Sequence, residues 1–249
     1  MNKNGDFSTL LKTYKGYGWH PSGIEELRGL FTFDYLEYKD FEYKIGKNLG
    51  YNLQYLEYLQ KQINELKLSA PLIKMIFKNY LITALSIIET IFAFLVKKSN
   101  LWKMQRWKKV KEGSVNFENV KPQIIDGIKY KVDTQRYVEI EPCEMQMDFI
   151  DLLQSVRDNH LISTISENNW KFLQRFYKKR NRVHIRITEN VSTEYNDFEE
   201  IDYLSAKFLL RNVIFDENVI RDSELGKKYL DFLFFTDKEK EYIAKYRKR

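Results

Sequence analysis

Cysteine, glycine and proline are all scarce in this chain of 249 residues. The single cysteine, Cys143, excludes an internal disulfide and suits a reducing compartment, so we expect a cytoplasmic protein. The first residues lack the apolar core of a signal peptide, which fits the same expectation. Ten glycines and four prolines, against 17 tyrosines and 17 phenylalanines, favour long helices over turn-rich β structure.

Other absences argue against whole classes of function. The chain has no glycine-rich phosphate-binding loop, which argues against an ATP- or GTP-driven enzyme. Its three histidines, His20, His160 and His184, are far apart and show no metal-ligand spacing, so we predict no metal and no cofactor. Residues 80–96 are largely apolar, but Glu89 interrupts them and they are short for a membrane span. We therefore predict a buried helix there and no membrane attachment, with a membrane-attached protein as the weaker alternative.

The overall pattern predicts a mainly α fold, a helical bundle with a small β-hairpin insertion. We expect an irregular arm over residues 1–30, anchored by Trp19, because glycine and proline interrupt that segment. Residues 31–249 are predicted to form a single helical-bundle domain, with the insertion at about 101–142. The insertion is too short to have a core of its own.

Two long helices come first in the predicted bundle. Apolar residues recur at helical spacing over 40–66, where Gly46 and Gly50 are expected to mark a close helix contact. Pro71 fits the first turn of a second helix, which runs to about residue 100 and is apolar nearly all round, so it should be central. Further helices are predicted over 145–159, 166–187, 201–215 and 225–235.

The insertion combines short strands with a basic, tryptophan-containing start. Two strands are predicted around an Asp126-Gly127 turn, and residues 137–141 suggest a third. Seven Lys or Arg and no acid lie between residues 97 and 111. Proteins that bind single-stranded nucleic acid combine such cations with aromatic rings that stack on bases. Trp102, Arg106 and Trp107 are therefore candidate RNA contacts, and closure of one end of the core is the alternative for the tryptophans.

The helix predicted over 166–187 carries the strongest functional signal. Seven Lys or Arg and no acid lie between Lys171 and Arg186, a charge density that calls for an anionic partner. Arg180 and His184 are four residues apart and so share one face of the helix. Further candidate RNA contacts on this helix are Arg175, Tyr177, Lys178, Lys179, Arg182 and Arg186; a solvated basic face is the alternative.

Glu89 is unusual because it lies in the most apolar helix of the chain. A buried carboxylate without a partner is costly, so we expect Glu89 to form an ion pair. The two candidate partners are Arg180, which Glu89 would then hold in position, and a nearby lysine.

The run Arg180-Asn181-Arg182-Val183-His184, late in a bundle and behind a long apolar helix, resembles the signature of the HEPN superfamily. HEPN domains are small helical bundles found in RNases of toxin–antitoxin, abortive-infection and CRISPR-linked defence systems. In their motif an arginine, often followed by Asn, Asp or His, precedes a histidine by a spacer of four to six residues. The spacer here has three residues, and the resemblance covers about 40–100 and 145–235.

The resemblance implies a metal-independent endoribonuclease with Arg180, Asn181 and His184 as its catalytic set. Histidine titrates near neutral pH and can act as general base or acid when the 2′-OH attacks the adjacent phosphate. The guanidinium of Arg180 can stabilise the charge that grows on the phosphate, and Asn181 can orient the histidine or donate to phosphate. The family also implies a homodimer with a composite cleft and products that end in 2′,3′-cyclic phosphate.

Two hypotheses follow from this resemblance. The first is an antiphage defence or toxin effector that cleaves RNA and is restrained by an antitoxin protein or a regulatory RNA. The second is a non-catalytic RNA-binding HEPN module that assembles with a structured RNA or a partner protein. The presence of both Arg180 and His184 favours the first hypothesis, and the short spacer favours the second.

Overall fold

The fold is mainly helical, as predicted, in a computed structural model that describes residues 19–32, 39–109, 123–125, 128–130, 137–180 and 197–246. Its α-helices are α1 (Ile24–Gly29), α2 (Lys39–Glu65), α3 (Ala70–Lys98), α4 (Phe149–Asp158), α5 (Glu167–Arg180), α6 (Glu200–Ile214), α7 (Ser223–Tyr229) and α8 (Asp237–Tyr246). Its strands are β1 (Met104–Lys109), β2 (Gln123–Ile125), β3 (Ile128–Tyr130) and β4 (Tyr137–Glu144).

Helix α3 is the centre of the bundle, and α2, α4, α5 and α6 all pack against it. Its apolar residues surround the axis, and Pro71 lies in its first turn, as the sequence predicts. Among the described helices, α3 is long and apolar enough to cross a membrane, but 61% of its most apolar window is buried inside the fold. Such burial is typical of the core helix of a soluble bundle.

Short helix α1 lies within the arm that the sequence predicts to be irregular. That prediction is wrong for this part of the arm, because Leu27 anchors α1 in the core with no exposed surface. The neighbouring helix α2 accommodates α1 through its glycines. A Cβ atom added at Gly50 would lie 3.0 Å from the carbonyl oxygen of Ile24, and one at Gly46 would lie 2.8 Å from Cγ of Arg28. The predicted close helix contact is confirmed.

The described residues of the insertion form two separate antiparallel pairs of strands. Strands β2 and β3 form the predicted hairpin, and β4 contains the predicted third strand. Strand β4 pairs with β1, which the sequence did not predict. Opposite Arg106, three residues of β4 (140–142) bulge out of the ladder, and the last of them is Pro142, which has no amide hydrogen to donate.

Helix α4 begins four residues later than predicted. The Asp148 carboxylate accepts a hydrogen bond from the backbone N–H of Asp151, which fixes the first turn at Phe149. The predicted helix over 225–235 is also wrong in its extent. It divides into α7 and a single 3-10 turn (Asp231–Leu233), and helix α8 follows as an element that the sequence did not predict.

Helix α8 contributes a carboxylate to the interior of the bundle. The Lys207 ammonium on α6 is fully buried and donates to both carboxylate oxygens of Glu239 at 2.9 Å. Glu239 also accepts from the Tyr203 hydroxyl at 2.7 Å and from the backbone N–H of Thr236 at 2.7 Å. The ammonium also donates a hydrogen bond to the amide oxygen of Gln60 at 3.3 Å. Lys207 therefore depends on Glu239 much more than Glu239 depends on Lys207.

The loop that leads into α5 is held by one buried carboxylate, Asp216. Its Oδ2 accepts hydrogen bonds from the backbone N–H and hydroxyl groups of Ser163 and Thr164, at 2.7–3.2 Å. Its Oδ1 accepts from the backbone N–H of Asn218 at 3.0 Å. Because Asp216 has no exposed surface, these donors replace water around its charge. The start of α5 is thereby fixed relative to the end of α6.

Candidate functional site

The structure brings Arg180, at the end of α5, against Glu89 on the central helix. Nη1 of Arg180 lies 2.5 Å from Oε2 of Glu89, and the two side chains are 27% and 32% exposed. Of the two partners that the sequence leaves open for Glu89, the structure selects Arg180. An arginine carries five N–H donors, and within the described residues only this one hydrogen bond engages the guanidinium. The pair is thus partly buried yet open on one side.

The rest of α5 explains how this arginine is placed. Trp170, Leu173 and Phe176 are buried at helical spacing and attach α5 to the core, as predicted. The ring of Tyr177 stacks on Phe149 of α4 with their centroids 4.9 Å apart. One face of the Tyr177 ring is therefore occupied by protein, which leaves less of it for the predicted stacking on RNA.

Two of the predicted RNA-binding cations instead contact an acid on the neighbouring helix. The Lys179 ammonium lies 2.5 Å from Oδ2 of Asp202, and Nη2 of Arg175 lies 3.6 Å from Oδ1. Asp202 is buried, with 4% of its side chain exposed, and it also accepts from the backbone N–H of Glu199 in the capping box of α6. Lys178 is exposed and has no ion pair within the described residues.

Asp202 is the residue of this region that the sequence prediction missed. It belongs to a run of five acids between residues 194 and 202, which follows closely on the stretch from Lys171 to Arg186 with its seven cations and no acid. That charge complementarity is the signal that indicates pairing inside the chain. Asp202 therefore offsets part of the positive charge of α5, and less of that charge is available to a partner than the sequence of the helix suggests.

Four predicted site residues lie outside the described part of the chain. They are Asn181, Arg182, His184 and Arg186. The placement of His184 beside Arg180 remains a prediction from the spacing of the two residues.

The two predicted tryptophan contacts differ sharply in their surroundings. Trp102 is half-buried, its indole N–H donates to the carbonyl oxygen of Met145 at 2.9 Å, and Nζ of Lys97 lies 4.8 Å from its ring centroid. Trp107 lies in β1 and is 56% exposed. Arg106 beside it is also exposed. Trp102 thus serves as an anchor for the base of the strand pair, whereas Trp107 points a large apolar surface at solvent.

Within the described residues, no group of three or more His, Cys, Asp or Glu side chains is arranged to hold a metal ion. Comparison of the chain with protein-family models, with curated proteins and with solved structures finds no match.

The Arg180–Glu89 arrangement is suited to binding a phosphate. A carboxylate that holds one nitrogen of the guanidinium restricts its orientation, and within the described residues no hydrogen bond engages the other N–H donors. Partial burial lowers the local dielectric, which strengthens an interaction with a phosphate oxygen. A residue of this kind can stabilise charge that develops on phosphorus without any reorganisation at the moment of reaction.

Proposed function

We propose that this chain is a metal-independent endoribonuclease of HEPN type, acting in the cytoplasm as an antiphage defence or toxin effector. The observation that carries the proposal is the partly buried Arg180, held by Glu89 against the central helix at the start of the Arg180-Asn181-Arg182-Val183-His184 run. The mainly helical bundle around a long apolar helix is consistent with it.

The proposed reaction is attack of a ribose 2′-OH on the adjacent phosphate, with departure of the 5′-oxygen. His184 takes or gives the proton, because imidazole is the side chain that exchanges protons near neutral pH. Arg180 stabilises the negative charge on the phosphate oxygens, and Asn181 orients the histidine or donates to phosphate. The products are a 2′,3′-cyclic phosphate and a 5′-hydroxyl end. We propose that two copies form the complete cleft.

The test is cleavage of RNA in the presence of EDTA by the wild type and by His184→Ala. We expect the variant to lose about 10²–10⁴-fold in rate, the usual contribution of a general acid or base. Its RNA affinity should persist. His20→Ala is the matched control, because His20 is exposed and far from the motif in sequence. Equal cleavage by the two variants would refute the nuclease proposal.

A second candidate function is a non-catalytic RNA-binding module of the same type. It is favoured by the three-residue spacer and by the ion pair that already neutralises Arg180. A wild-type protein that binds RNA tightly, leaves it uncut and causes no growth arrest on expression would support this alternative.

A further inference from the structure

Strands β1 and β4 form a two-stranded ribbon that is exposed on both faces. Met104, Trp107, Tyr137 and Val138 all have about half of their surface open to solvent. The base of the ribbon is fixed to the bundle, since Nζ of Lys103 lies 2.5 Å from Oδ1 of Asp151 on α4 and Lys97 of α3 donates to Oε2 of Glu144 at 2.9 Å. The ribbon is thus rooted in the bundle at one end, and most residues of its two strands are exposed.

Charge is divided between the two strands of this ribbon. Strand β1 carries Arg106, Lys108 and Lys109, and β4 carries Glu139 and Glu141. In the register, Lys108 lies opposite Val138 and Lys109 opposite Tyr137, whereas Arg106 lies opposite the bulge that contains Glu141. Within the described residues none of the three β1 cations forms an ion pair. The described acids thus leave the charge of the basic strand available to a partner.

Trp107 lies between these cations along β1, and strand alternation puts Lys109 on its face and Arg106 and Lys108 on the opposite one. Its cross-strand partner is Glu139, and no described ring or cation covers it, in contrast to Trp102 under Lys97. An exposed indole between cations is the combination with which proteins bind single-stranded nucleic acid, where bases stack on the ring and cations neutralise phosphates. An acidic peptide would use the cations but gain little from the open ring.

We propose that this ribbon binds single-stranded RNA, with a base stacked on Trp107 and phosphates on Arg106, Lys108 and Lys109. The inference rests on the RNA-directed function proposed above and assigns the substrate a second, non-catalytic contact. Double-stranded RNA fits less well, because its deep and narrow major groove does not admit side chains and its bases are already stacked.

The experiment measures binding of a fluorescein-labelled, unstructured 12-nucleotide RNA to the full chain by fluorescence anisotropy. The His184→Ala background prevents cleavage during the measurement. Trp107→Ala should weaken binding about 5- to 150-fold, the range for loss of one stacked base. Exposed Tyr51 on α2 is the control site, and Tyr51→Ala should leave the affinity unchanged.

Charge is tested with R106Q/K108Q/K109Q over a series of salt concentrations. Loss of three phosphate contacts should lower the slope of log K against log salt by about 2, since each contact to single-stranded nucleic acid contributes about 0.7. The control K228Q/K238Q/K245Q removes the same charge from exposed positions on α7 and α8 and should leave the slope unchanged. Unchanged thermal unfolding of each variant shows that the fold is intact.

The ribbon inference is overturned if the protein binds no RNA, if Trp107→Ala binds like Tyr51→Ala, or if both triple variants change the slope equally. It is also overturned, in favour of an acidic protein partner, if a glutamate 12-mer binds as tightly as the RNA. With His184 intact, the ribbon variants should raise KM for RNA cleavage and leave kcat unchanged. Persistent cleavage by His184→Ala would refute the proposed nuclease mechanism, which depends on His184. It would not affect the inference that the ribbon binds RNA.

Discussion

Glu239 is the carboxylate on which the buried Lys207 depends, so its neutralisation should damage the fold severely. Glu239→Gln keeps the shape of the side chain and removes its charge, which leaves the ammonium with neutral oxygens only. Breaking one half of a buried ion pair costs about 3–5 kcal/mol, a large part of the stability of a typical domain. For a chain of this size the melting temperature should fall by about 6–20 °C.

Because Lys207 depends on Glu239 more than the reverse, a second substitution at Lys207 should restore part of the stability that Glu239→Gln loses. Lys207→Met removes the stranded charge, so the double variant K207M/E239Q should be more stable than Glu239→Gln alone. The control is Lys240→Gln on the same helix, because among the described residues Lys240 forms an ion pair only with exposed Asp237, and its loss should be undetectable. The assay is urea unfolding followed by tryptophan fluorescence.

The pH dependence gives an independent check on Glu239. Burial by itself would raise the pKa of Glu239, but hydrogen bonds from Tyr203 and Lys207 outweigh it and hold the pKa below 4.5. A carboxyl whose pKa is depressed in the folded state adds stability above its unfolded pKa and loses it as the pH falls through the folded one. The stability gap between the wild type and Glu239→Gln should therefore narrow below pH 4.5. A gap that widens in acid, or a double variant less stable than Glu239→Gln, would refute the reasoning.

Three further predictions concern other contacts and are checked by urea unfolding. Gly50→Ala should cost about 1–3 kcal/mol because its Cβ would press on α1. Gly29→Ala, which meets no atom within 4 Å, should cost nothing; equal effects would contradict the close contact. Asp216→Ala should lower the free energy of unfolding by about 2–5 kcal/mol, because it leaves buried donors unpaired. An unchanged free energy of unfolding would show that water replaces the carboxylate. Asp202→Asn should weaken the cap of α6 and lower the free energy of unfolding by about 0.5–2 kcal/mol. It should also release Lys179 and so tighten RNA binding. Unchanged RNA affinity would show that Lys179 does not contact RNA.

The helices around the core were predictable because local signals agree with their packing. The predicted bounds 40–66 and 71–100 differ by only one or two residues from α2 and α3. In α3 the apolar composition and Pro71 act within one segment, so no distant contact is needed to define it. The same holds for the β2–β3 hairpin, whose strands are neighbours in sequence.

Elements that depend on distant partners were missed or misplaced. Strand β1 is basic and lacks apolar alternation, and it exists because β4, about 30 residues later, pairs with it. The helix predicted over 225–235 is interrupted near Leu230, after which the Phe234 ring packs edge-on against Phe215 at 5.4 Å. Tertiary packing at such positions overrides local helical preference.

In the candidate site, too, local features were predictable and contacts between distant residues were not. The cost of burying an unpaired carboxylate predicts that Glu89 has a cationic partner. It does not identify Arg180 as that partner, because the two residues are 91 positions apart in the sequence. The Lys179–Asp202 pair was not predicted, because a basic helix and an acidic run in sequence do not reveal their relative orientation.

The bulge in β4 has a consequence for the solubility of the ribbon. Two paired strands with open outer edges and exposed apolar side chains form a template on which further strands can add, as in amyloid. Pro142 lacks a donor at that edge, the bulge distorts the local hydrogen-bond spacing, and like charges along β1 repel a second basic strand. We therefore expect the exposed Trp107 and Tyr137 on this ribbon to give little stacking into fibres.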